Sequence, residues 1–170
     1  MKIGEELAMA RKRQGLTQEQ LALELPVSRE SIAKYETGAR RLPEDLRRPI
    51  AQTIDDEEFY FRSWGDAAGE VAIPYLNGDY VDQHPASMAF LVKRETNEAL
   101  EQLSQVCWVK PIHTRTDTER EEMKRVIFEA LDAAASLINL VAVICRECGF
   151  SMKKIFTEWR LTLKARRLEK

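Results

Sequence analysis

The first fifty-four residues are punctuated so closely that they can fold only as short helices packed on one another. Leu7, Ala8 and Ala10 give an apolar stripe that stops near Gly15, a helix-ending residue. Thr17 restarts a helix as N-cap, with Gln20 three residues on as its capping-box partner, and Leu21, Ala22 and Leu25 continue the apolar face. Pro26 breaks that helix. Ser28 caps the next one over residues 29–37, and Gly38 ends it. A further helix starts around Pro43 and runs toward Ile54. Leu21, Ala22, Leu25, Val27 and Ile32 are all buried only if the second and third of these helices close at a steep angle. Arg29, Glu30, Ala33 and Lys34 then face outward.

A helix presented by its N-terminus in this way fits the width of the B-DNA major groove. The run from Leu16-Thr17-Gln18 through Leu21-Ala22, Val27-Ser28 and Ile32 to Tyr35-Glu36-Thr37-Gly38 resembles the Xre family of helix-turn-helix regulators, relatives of the lambdoid phage repressors. The resemblance covers roughly residues 3–54. It implies a lambda-repressor-like domain that binds double-stranded DNA, with Arg29, Glu30 and Lys34 reaching base edges. Arg29 would pair with guanine, Glu30 would accept from cytosine N4 and Lys34 would donate to guanine. Gln18, which would also brace the second helix of the motif, Ser28, the Thr37 and Gly38 backbone N–H groups, Arg40 and Arg41 would hold phosphates, which sets register rather than sequence. Arg11 and Glu36 match the family's internal ion pair. Pro26 departs from the pattern, because the family usually places a glycine of positive φ there and proline locks φ near −65°. Either the turn is of another type or the second helix sits at a different angle.

The rest of the chain reads differently. Residues 55–84 open with four acids and hold Phe59, Tyr60, Phe61, Trp64, Tyr75 and Tyr80, too many aromatics for a disordered tether. A short helix over roughly 56–64 and an irregular, packed loop are expected there. From Pro85 the chain is helical again, first to about Val106. A long helix then follows from a Thr118–Glu121 capping box to about Cys148, and Ser151 caps a last, basic helix. The expected fold is therefore all-α: a helix-turn-helix domain over 1–54, an acidic, aromatic-rich connector over 55–84, and about three helices over 85–170.

The net charge of −2 is unevenly spread. Residues 1–54 carry ten Lys and Arg against eight Asp and Glu, residues 55–82 one against eight, and residues 83–170 fifteen against twelve. That profile permits DNA binding at the ends of the chain. One helix-turn-helix reads few base pairs, so a homodimer on two half-sites is expected. Leu137, Ile138, Leu140, Val141 and Ile144 on the long helix are its expected interface. The apolar run 137–145, interrupted by Asn139, is too short to cross a bilayer, no signal peptide opens the chain, and a cytoplasmic location is expected.

Cys145 and Cys148 could share a metal with Cys107 and His113, but they continue an apolar helix face, which suits buried thiols better. No metal and no cofactor is expected. No phosphate-binding loop, dinucleotide turn or nucleophile elbow is present, so an enzyme is not expected. The function expected is a dimeric repressor on a palindromic operator, of prokaryotic or prophage type. An antitoxin that represses its own operon, and a regulator acting through another protein, are the alternatives.

Overall fold

A computed structural model describes residues 3–170. The described residues form helices and connecting turns, without strands. The helices are α1 (Ile3–Arg13), α2 (Gln18–Leu23), α3 (Arg29–Glu36), α4 (Glu44–Ile54), α5 (Glu57–Ala68), α6 (Pro85–Gln105), α7 (Asp117–Cys148) and α8 (Met152–Ala165). The all-α architecture follows the sequence expectation. The chain divides into two compact units. One holds the residues up to Tyr75 together with Cys145–Lys170, the other Leu76–Ile144.

In the first unit α1 to α4 enclose a core of Leu7, Ala10, Leu21, Leu25, Ile32 and Tyr35, closed from the far side by Ile50, Ile54 and Phe59. Helices of six and eight residues have little stability of their own, so this shared core holds α2 and α3 in place. The Thr17–Gln20 capping box forms in both directions, at 3.1 and 2.8 Å. Gly15 takes φ +66 after α1 and Gly38 takes φ +73 after α3, as their stop signals require.

The expected connector proves to be largely part of this unit. α5 runs four residues past the expected end, straight through Gly65, and Phe59 lies fully buried in the N-terminal core. Asp56 explains the attachment. Its carboxylate caps α5 by accepting from the Phe59 N–H at 2.9 Å and also takes a two-pronged bond from Arg13 at the end of α1. Arg13 binds Glu6 and Glu58 as well, so one guanidinium ties three carboxylates across α1 and α5. Phe61 is buried against the Tyr75 ring, whereas Tyr80 is fully exposed. The aromatics of this segment are mainly packing groups. The last helix belongs here too: the Lys153 N–H donates to Asp55, which occupies the left-handed position ending α4.

The second unit is built on α6 and the greater part of α7. Glu95, ten residues before the end of α6, lies beside Glu129 and Asp132, twelve and fifteen residues into α7, so the two helices run antiparallel. The link between them is tied by Arg115, which donates to the Cys107 and Lys110 carbonyls, and by Lys110, which grips Glu119 at 2.6 Å. Here one expectation is corrected. The capping box of α7 is Thr116 with Glu119, two residues earlier than Thr118 with Glu121, because Glu119 accepts from the Thr116 N–H and Thr116 accepts from the Glu119 N–H. Both pairs fit the spacing rule, and the Lys110 bond selects the earlier one. Asn139, buried on α7, accepts from the Leu76 N–H and donates to the Ala135 carbonyl.

At 32 residues α7 is long and apolar enough, by length and composition, to cross a membrane. Core helices of soluble proteins pass the same test.

Candidate nucleic-acid interface

The candidate interface is built around α3, and its stability begins with a buried ion pair. Arg11 on α1 donates through Nε and Nη2 to both carboxylate oxygens of Glu36 at 2.6 and 2.9 Å, and through Nη1 to the Leu16 carbonyl at 2.6 Å. One side chain therefore joins α1, the entry to α2 and the end of α3. Gln18 adds a third donor to Glu36 at 2.8 Å. Burial pushes the Glu36 carboxyl upward, but the bonds from Arg11 and Gln18 outweigh it and hold the group below the usual carboxylate range. Its bond to Glu36 raises the Arg11 guanidinium further still.

A contact absent from the sequence reading sets how closely α1 crosses α3. Gly4 is buried, and a Cβ placed on it would lie 2.0 Å from the Tyr35 carbonyl oxygen. The available signal was a glycine inside a helix, where alanine is the better helix former.

The connection between α2 and α3 answers the question posed by Pro26. The Val27 N–H bonds the Leu25 carbonyl at 2.8 Å, which makes a γ-turn centred on Pro26. The fixed φ of proline suits the inverse form of that turn. No residue between α2 and α3 needs a positive φ. The turn is thus of another type than the glycine-bearing one, and Leu21 and Ile32 are still fully buried across it.

On α3, Ile32, Tyr35 and Glu36 face the core while Arg29, Glu30 and Lys34 are exposed on one outward arc. Ser28 caps the helix by accepting from the Ser31 N–H at 3.3 Å. The Glu30 carboxyl is held low by its own backbone N–H and the Ser28 hydroxyl, with Arg29 and Lys34 adding their charge. It is ionised at neutral pH. Arg40 lies over the Tyr35 ring, 5.7 Å from its centre, and Arg41 is exposed with a loose pair to Glu44 at 3.5 Å.

The expected phosphate contacts of the Thr37 and Gly38 backbone need correcting. The Thr37 N–H bonds the Ala33 carbonyl at 3.1 Å, the Gly38 N–H bonds the Tyr35 carbonyl at 3.2 Å, and the Thr37 hydroxyl also donates to Ala33. Both amides are spent closing α3, because the last carbonyls of a helix need donors. Gln18, expected to bond a phosphate and to brace the second helix of the motif, donates to Glu36 at the end of α3.

Elsewhere, Leu137 and Ile144 of the expected oligomer interface are exposed and Ile138 and Val141 half-buried. Leu140 is also half-buried and lies about 40° around α7 from Ile144, by the 100° step of the helix. Cys145 is buried, and burial pushes its thiol up, whereas Cys107 and Cys148 are exposed. Among the described residues the side chains that converge as possible metal ligands are Glu95, Glu129 and Asp132, with one oxygen each within 4.8 Å of the others, rather than the cysteines. Arg94 already binds Glu95.

No curated protein and no solved structure matches the chain. A family model described as a helix-turn-helix domain matches residues 2–53, the segment that folds as α1 to α4, and it marks the chain as carrying the DNA-binding module of a regulator.

Proposed function

We propose that the chain is a sequence-specific DNA-binding transcription regulator of the Xre type, acting in the cytoplasm as a homodimeric repressor on a palindromic operator. The observation that carries this reading is the outward arc of α3, where Arg29, Glu30 and Lys34 are free of the core. In this reading α3 enters the major groove N-terminus first. Arg29 and Lys34 donate to guanine edges, and Glu30, ionised, accepts from cytosine N4. Arg40 and Arg41 meet phosphates with their side chains, since the neighbouring amides are spent. The exposed apolar residues of α7 supply the contact between protomers. The reading includes no catalytic step and no cofactor.

Genome-wide binding followed by footprinting tests it. Arg29→Ala is expected to relax specificity at one base pair, worth about 1–3 kcal/mol of discrimination, while Arg41→Ala weakens all sequences alike and lowers the salt slope. Equal losses on cognate and random DNA for Arg29→Ala would refute the base contact. Absence of any protected site would refute the function.

A further inference from the structure

α7 carries an apolar face that its own unit leaves open. Ile127, Leu131, Ala134, Ile138 and Val141 recur at alternating steps of four and three, the 3.5-residue period of a helix seam that packs on another helix. Ile127 and Leu131 on this stripe, and Phe128, Leu137 and Ile144 flanking it, each keep 40% or more of their surface exposed. At about half of 150–200 Å² for each large side chain, the open apolar area is on the order of 500 Å², close to the ~600 Å² per side at the low end of specific interfaces.

We infer that this face is occupied by the same face of a second copy, with the two α7 helices antiparallel and crossing at Ala134. The inference rests on the dimeric DNA-binding reading above and gives that dimer its geometry. Three features argue for it. The stripe is nearly symmetric about Ala134, with Ile127 and Val141 seven residues to either side. A two-fold axis at Ala134 therefore sets Ile127 on the partner's Val141, in the self-complementary manner of isologous contacts. The residue on the axis faces itself, and the small alanine side chain lets the helices approach there. Charge chooses the direction. The exposed Arg120 and Lys124 continue the stripe toward the N-terminus. A parallel pair would set these cations side by side, whereas an antiparallel pair brings them to the negative C-terminal end of the partner's α7.

α7 enters the first unit at Cys145, eleven residues beyond Ala134. At 1.5 Å per residue the two junctions stand about 33 Å apart along the paired helices.

Disulfide trapping in the full chain tests this, with Cys107 and Cys148 replaced by serine and reporters placed one at a time. Ala134→Cys is expected to cross-link to itself. Ile127→Cys alone is not, because its two copies lie about 21 Å apart along the helices, but mixed with Val141→Cys it is. Leu131→Glu, at an exposed position, is expected to sediment as a monomer with unchanged helicity. Self-linking of Ile127→Cys, a wild-type monomer at micromolar concentration, or recovery of the chain on phosphatidylglycerol–phosphatidylethanolamine vesicles in place of a soluble dimer would each overturn the proposal. The trapping needs no DNA, so a missing dimer with an intact footprint defeats this geometry alone. The trapped dimer without a footprint defeats the DNA-binding reading.

Discussion

Replacing Arg11 with methionine isolates the interaction on which the DNA-facing helix depends most. Methionine keeps the bulk of the aliphatic stem but removes both bonds to Glu36 and the bond to the Leu16 carbonyl. Glu36 is left as a buried carboxylate with Gln18 as its remaining side-chain donor. Removing one partner of a buried pair costs about 3–5 kcal/mol, because the other charge stays out of water without compensation. Gln18 and local relaxation place the expected loss at the lower end, about 3 kcal/mol. Hydrogen exchange of the Ile32 and Tyr35 amides at neutral pH reads this within the unit, and that loss corresponds to exchange roughly a hundredfold faster. Replacing Glu36 with leucine as well should recover most of it, since an apolar pair of similar volume is often neutral. The same pair sets an acid limit. The Glu36 carboxyl titrates below its ordinary 4.5 in the folded chain. Its contribution is therefore fully present above that value and is lost as the pH falls through the lower folded value. Arg11→Met should flatten the fall in stability over this acid range. A loss under 1 kcal/mol, or an unchanged acid profile, would refute the reasoning.

Three further outcomes are expected. Gly4→Ala should cost at least 2 kcal/mol despite the better helix propensity of alanine, because its Cβ meets the Tyr35 carbonyl at 2.0 Å; thermal unfolding followed by circular dichroism checks this. Arg13→Met should loosen α5 from α1 by about 2 kcal/mol, because it takes the cation from the buried Glu6 and leaves the buried Asp56 with its bond from the Phe59 N–H, and it should raise exchange at the Phe59 amide before that at Ile32. Lys110→Ala should move the Glu119 carboxyl up from about 2 toward 4.5, though not all the way, since the Thr116 bonds remain; an NMR titration reads the shift.

The N-terminal domain was legible because its information is local. Thr17 with Gln20, Ser28, Gly15 and Gly38 act within a few residues of themselves, and each took the position its chemistry requires. The pairing of Arg11 with Glu36 across 25 residues was readable only through the family resemblance. Pro26 showed that the turn had to differ, yet only the Val27–Leu25 bond identified it as a γ-turn.

What the sequence determined by itself was where helices start and stop and which residues form the outward arc of α3. Caps, breakers and a 3.6-residue period suffice for that. Tertiary structure decided which backbone donors were already used. The Thr37 and Gly38 amides look free in sequence and are bonded in the fold, because helix closure depends on a conformation rather than a residue type. It also decided where the first unit ends. Phe59 and Asp56 look like the start of a linker, but Arg13, 43 residues earlier, holds α5 in the core. Long-range burial and charge pairing depend on which helices meet, and spacing along the chain does not encode that.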